Sequence, residues 1–109
     1  MIGLVEQQKN AIASLCRQHK VKRLDVFGSA ARGNFVPGRS DLDFIVQFTS
    51  SGFPGYADAF LDFAESLERL LGNKVDLLTE RMIRNPYFRA EVENTRENIY
   101  DERDETTPH

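Results

Sequence analysis

Hydrophobic positions along the chain change period several times, and each change marks an element. From 3 to 20 they recur at helical spacing, with Val5, Ile12, Leu15, Cys16 and His19 on one side and Gln, Lys and Arg on the other, which predicts a helix. Arg23-Leu24-Asp25-Val26-Phe27 is short, rich in strand formers and stopped by Gly28, which predicts a strand. Residues 28–33, GSAARG, read as a turn of small residues that opens a short helix, and 34–39, NFVPGR, carry the turn signal Pro37-Gly38. Leu42 to Phe48 is the clearest strand: Leu42, Phe44, Val46 and Phe48 share one face, and Asp41, Asp43, Ile45 and Gln47 share the other. After a loop at 49–55, Tyr56, Phe60, Phe63, Ala64, Leu67, Leu70 and Leu71 make an amphipathic helix closed by Gly72-Asn73. Phe53 and Tyr56, at this junction, are read as packing residues. Lys74-Val75-Asp76-Leu77-Leu78 is a third strand. Thr79 caps a short helix over 80–84, and Asn85-Pro86 supplies the cap and first position of a last helix at about 86–95. Ile99-Tyr100 adds a few residues of strand or ends that helix.

This order predicts an α/β (α+β) fold, a mixed β-sheet with helices packed on one side. A length of 109 residues suits one domain, over residues 1–100, followed by a disordered C-terminal tail at 101–109, DERDETTPH. Cys16 is the only cysteine, so an intramolecular disulfide is impossible and a reducing compartment fits. No apolar run approaches the roughly 18–20 residues that span a bilayer. The segment MIGLVEQQKN lacks the basic-then-apolar pattern of a secretory signal. The expectation is a soluble cytoplasmic protein that makes no membrane contact.

The net charge of −3 hides an asymmetry: residues 1–39 carry +5, residues 40–80 carry −6, and residues 81–109 carry −2. That balance excludes a generally basic nucleic-acid binder. A basic segment beside a carboxylate-rich one suits a site that holds both phosphates and cations.

Three features of candidate chemistry converge on this charge pattern. The first strand runs into Gly28-Ser29 and a helix start. Glycine lets the backbone approach a bound group, and a helix start offers unpaired N–H groups to an anion. Ser29 adds a hydroxyl and Arg32 a cation one turn away, which together make a phosphate cradle. Asp41 and Asp43 stand two apart at the start of the next strand, so both carboxylates leave one face. Side by side they repel, and a divalent cation such as magnesium is the natural compensator. Ser40, just before them, caps a turn or orders the loop. Asp76 sits inside an apolar strand, where a carboxylate needs a partner. If that strand lies beside 42–48, Asp76 joins the pair. Each feature alone also has an ordinary explanation: a strand-to-helix turn, a solvent-facing strand start, an ion pair of Asp76 with Lys74. Together, three carboxylates beside a phosphate cradle are what metal-assisted phosphoryl or nucleotidyl transfer needs.

The string GSAARG…SDLDFIV, with Asp76 on a later strand, resembles the signature of the polymerase-β-like nucleotidyltransferases. Within that superfamily it resembles the minimal nucleotidyltransferase (MNT) branch, which includes MntA-type antitoxins paired with HEPN-domain toxins. The resemblance covers residues 3–100, roughly the whole chain. It implies the nucleotidyltransferase fold. By position it makes Asp41 and Asp43 ligands of two Mg2+ ions, one nucleotide-bound and one catalytic. It makes Asp76 the third carboxylate, a further metal ligand that helps deprotonate the acceptor hydroxyl. It implies that Gly28 and Ser29 hold the triphosphate of ATP, with Arg32 and Ser40 as supporting contacts. The activity it implies is transfer of AMP from ATP onto a tyrosine of a HEPN toxin ribonuclease, which blocks the toxin. Relative to larger superfamily members the chain has no second substrate domain, so a separate protein is expected to bring the acceptor.

Other chemistries fit worse. Gly28 and Gly33 have P-loop spacing, but Asn34-Phe35 follow where Lys and Ser or Thr are required. A calcium loop begun at Asp41 would place Val46 and Gly52 where glycine and glutamate are needed. Cys16 and His19 lack further metal-ligand partners and read as packing. Two functional alternatives stay open: an antitoxin that acts by binding alone with a vestigial site, and a stand-alone transferase for a small molecule.

Overall fold

The computed structural model describes residues 3–33, 35–36, 38–50 and 54–105. The expected helix over 3–20 is two helices, α1 (Gly3–Gln7) and α2 (Lys9–Gln18), separated at Gln8. Residues 6–10, EQQKN, offer no apolar side chain to hold a continuous axis, and the break falls there. The buried set is the expected one, with Val5, Ile12 and Cys16 wholly enclosed. His19 packs its ring on Phe63 at 5.5 Å, so the Cys16–His19 turn is packing.

Strand β1 (Val21–Phe27) is followed by α3 (Ser29–Arg32), β2 (Leu42–Phe48), α4 (Tyr56–Leu71) and β3 (Val75–Thr79). A short 3-10 turn (Glu80–Met82), α5 (Pro86–Thr95), β4 (Glu97–Asp101) and α6 (Glu102–Glu105) complete the order. The expected helix over 80–84 is only the 3-10 turn, and Thr79 before it makes no side-chain capping hydrogen bond, whereas two other signals act as expected. Gly72 closes α4 at φ +63° by returning its N–H to the Glu68 carbonyl at 2.8 Å. The Asn85 side chain accepts the N–H groups of Tyr87 and Phe88 at 2.8 and 3.2 Å, with Pro86 in the first turn.

The strands form one mixed sheet in the order β3-β2-β1-β4. Strand β1 is antiparallel to both β2 and β4, while β2 and β3 run parallel and are joined through α4. One face carries Leu24, Val26, Leu42, Phe44, Val46 and Phe48 and packs on Val5, Ile12, Phe63 and Leu67 of α1, α2 and α4. Phe44 and Phe63 are completely buried, and each such side chain contributes about 1.5–3 kcal/mol. Tyr56 packs edge-on against Phe48, as its reading as a packing residue requires. This is the expected helical layer. The helices are not confined to one side as expected: on the opposite face a second, smaller cluster of Phe27, Ile45, Ile83 and Val92 carries α5, because β1 and β2 also present apolar side chains there.

Order extends further than expected at the C-terminal end. Asp101 belongs to β4, and its carboxylate accepts the Arg103 N–H at 3.0 Å and the Arg103 guanidinium at 2.9 Å, capping α6. The expected tail therefore does not begin at 101. Its remainder, 106–109, lies outside the described residues, as do Pro37 of the expected turn and residues 51–53, Phe53 among them, of the loop before α4. Among the described residues, no helix is long and apolar enough to cross a membrane.

Candidate active site

Register brings the expected residues to one end of the sheet. Phe27, the last residue of β1, pairs with Asp43, and Asp43 stands directly opposite Asp76 across the parallel β2–β3 ladder. Residues in register share a face, so Asp43 and Asp76 project together, on the side of Phe27 and Ile45. Asp41 precedes β2 and is exposed. Among the described residues no ion pair joins Asp76 to Lys74, the partner that a purely structural role would use.

Gly28 closes the gap between β1 and the carboxylates. Its φ is +68° and ψ −142°, and a Cβ built there would stand 2.7 Å from Asp43 Oδ2. Only glycine accepts both the backbone conformation and the carboxylate lying against it. The Gly28 N–H donates to Thr95 Oγ1 at 3.0 Å, and its carbonyl accepts the Ala31 and Arg32 N–H groups as α3 begins. Ser29 is the first residue of α3, beside this crossing.

The electrostatics match the crowding. Burial, then Asp76, then Asp41 push the Asp43 carboxyl up from 3.8 to about 6. Among the described residues, no three His, Cys, Asp or Glu side chains already form a metal cage. The arrangement is an open one: two carboxylates in register and a third within electrostatic reach. Magnesium takes one or two carboxylates and completes its shell with water and substrate phosphates, so this donor set fits it.

The supporting residues are placed less simply. Arg32 donates to Glu91 Oε2 of α5 at 2.7 Å. Ser40 Oγ accepts the Val36 N–H at 3.1 Å, and its carbonyl accepts Asn73 Nδ2 at 3.0 Å, so Ser40 orders the loop that delivers Asp41. Asn73, which the sequence marks only as part of a helix end, ties that loop to the start of β3.

Sequence reasoning missed a second polar cluster on this face. Asp25 is completely buried and accepts Arg96 Nε at 2.8 Å, Asn98 Nδ2 at 2.9 Å and Arg23 Nε at 3.2 Å. The one available signal was a charged residue between Leu24 and Val26 in an apolar strand.

Comparison with known proteins gives the family of the chain. The Nucleotidyltransferase domain family matches residues 9–99. The chain belongs to that family. MJ1379, a candidate protein adenylyltransferase of Methanocaldococcus jannaschii, is 41% identical to this nucleotidyltransferase domain over 76 residues, 70% of this chain and 74% of the relative. A candidate minimal nucleotidyltransferase of solved structure is 33% identical, with a TM-score of 0.69, over 88% of this chain and 95% of that one. A chain from the complex of tri-AMPylated Shewanella oneidensis HEPN toxin with MNT antitoxin shares the fold, at 20% identity and a TM-score of 0.61, over 92% of this chain and 76% of that one. The expected nucleotidyltransferase fold, and the resemblance to its minimal branch, are thereby met.

Proposed function

We propose that this chain is a magnesium-dependent protein adenylyltransferase that moves AMP from ATP to a tyrosine hydroxyl of a HEPN-domain toxin, and so acts as its antitoxin. The observation that carries this reading is the Asp43 carboxylate, in register with Asp76 and lying against Gly28. Phosphates held at Gly28 and Ser29 would sit beside the carboxylates that hold their counter-ions. The name of the Methanocaldococcus jannaschii relative supports a protein acceptor, and the Shewanella oneidensis complex supports a HEPN partner.

Asp41 and Asp43 would hold the magnesium ions. Bound there, magnesium supplies charge neutralisation to the triphosphate. Asp76, the exposed member of the pair, accepts the proton of the incoming hydroxyl. The hydroxyl oxygen forms its bond to the α-phosphorus in line as the bond to the β-phosphate oxygen breaks, and pyrophosphate leaves. Arg32 contributes to phosphate binding only after releasing Glu91, while Ser40 serves by holding the Asp41 loop in place. The acceptor comes on a separate protein, and the reaction belongs to the cytoplasm; neither nucleic acid nor membrane takes part.

The test is mass spectrometry of the co-purified partner after incubation with ATP and magnesium. Added AMP is expected with the wild type and absent with Asp41→Ala plus Asp43→Ala. A partner left unmodified by the wild type, or modified equally by the double variant, would refute the mechanism. A double variant that still neutralises the toxin in cells would favour binding alone.

A further inference from the structure

We propose that Thr95, the last residue of α5, is a positioning residue that sets the Gly28 backbone against Asp43 and thereby tunes nucleotide handling. The inference rests on the reading of this site as a nucleotidyl-transfer centre. Thr95 is 67 positions from Gly28 in the chain, yet its Oγ1 accepts the Gly28 N–H at 3.0 Å. The same hydroxyl donates to the Glu91 carbonyl at 2.8 Å. Donation to Glu91 fixes the hydroxyl proton, which leaves a lone pair aimed at Gly28.

The contact matters because tolerance at Gly28 is small. Its φ of +68° and the 2.7 Å that a Cβ would leave to Asp43 Oδ2 show how closely backbone and carboxylate approach. The glycine has no side chain to anchor it, so its orientation depends on its backbone partners. Its carbonyl is committed to the first turn of α3 through Ala31 and Arg32, and its N–H to Thr95. The segment around Thr95 is tied to its neighbours: the next residue, Arg96, binds the buried Asp25 of β1 at 2.8 Å, and the Glu91 side chain binds Arg32 of α3 at 2.7 Å. Helix α5 thus grips the strand before Gly28, Gly28 itself and the helix after it. Thr95 does not touch substrate; it acts through Gly28.

Thr95→Val keeps the shape and removes both hydrogen bonds, whereas Thr95→Ser keeps both. With ATP, magnesium and the acceptor protein, Thr95→Val is expected to lower kcat/KM for ATP about 10- to 100-fold, in the range seen when residues supporting a metal or catalytic site are removed. The KM for ATP rises, the KM for the acceptor stays, and Thr95→Ser restores activity. A purely structural role would lower the folded fraction, reducing kcat while leaving the KM for ATP unchanged; that result, or a Thr95→Ser variant as impaired as Thr95→Val, overturns the proposal. Should Thr95→Val fold poorly, Thr95→Ala gives the same comparison, read per folded molecule after thermal unfolding. Asp43→Ala runs in parallel. If the wild type transfers AMP, Asp43→Ala does not, and Thr95→Val matches the wild type, this proposal alone falls. If the wild type neither transfers AMP nor binds magnesium–ATP by calorimetry, the parent reading falls and takes this one with it.

Discussion

Asp25 on β1 and Asp43 on β2 project from the same face of adjacent strands, since Asp25 pairs with Ile45 and Phe27 with Asp43. Their surroundings differ. Asp25 is sealed from water and receives hydrogen bonds from Arg96, Asn98 and Arg23. Asp43 is partly buried, and burial first, then Asp76 and Asp41, push it up to about 6. One carboxylate is compensated by protein donors; the other is crowded by like charges. Burial of charge is costly unless partners are supplied, so on the proposed reading the carboxylate cluster beside the glycine turn is where a nucleotide and its cation would bind.

The same substitution at the two positions should therefore have opposite signs. Asp25→Asn leaves Arg96 facing an amide in place of a buried charge, and the expected loss is about 3–5 kcal/mol in denaturant unfolding. A loss below about 1 kcal/mol would show that the Arg96 pair adds little. Next in size is Gly28→Ala. It forces a side chain into a glycine conformation and against Asp43 Oδ2, with an expected cost of about 1–3 kcal/mol by the same measurement. AMP transfer should fall with it.

The smallest effect is at Asp43, and it stabilises. The folded carboxyl titrates at about 6 against 3.8, so between those values the folded protein keeps a proton that the unfolded chain has released. Stability then falls as pH rises through that window, and the deficit persists above it. Asp43→Asn removes the deficit. After allowance for solvent screening, the expected gain near pH 7.5 without magnesium is about 1 kcal/mol, fading toward pH 4. A gain that is independent of pH would refute the electrostatic cause.

The contrast between the two aspartates also marks what the sequence can disclose. Strand β2 is legible because Leu42, Phe44, Val46 and Phe48 alternate with polar positions, and the same alternation puts Asp43 on the face away from the main core. The parallel placement of Asp76 follows once α4 is recognised as a crossover between two strands. Gly72 and Asn85-Pro86 punctuate by local chemistry alone. Asp25 stays hidden because its partners Arg96 and Asn98 stand 71 and 73 residues away, and no period links them. The attachment of α5 to the second face is equally obscure: of its residues only Val92 is buried, too little for a hydrophobic stripe. Arg32 reads as a phosphate ligand from its position after Gly28-Ser29, while Glu91, which holds it here, is visible only in three dimensions.

On the proposed reading, Asp43 lacks protein donors among the described residues because a nucleotide-bound cation satisfies it. Titration of magnesium–ATP into wild type and Asp43→Asn, followed by calorimetry and thermal unfolding, tests it most directly. Magnesium–ATP is expected to bind and stabilise the wild type, chelation of magnesium to abolish the effect, and Asp43→Asn, though the more stable apoprotein near neutral pH, to gain little. Equal affinity of the two proteins for magnesium–ATP would contradict it.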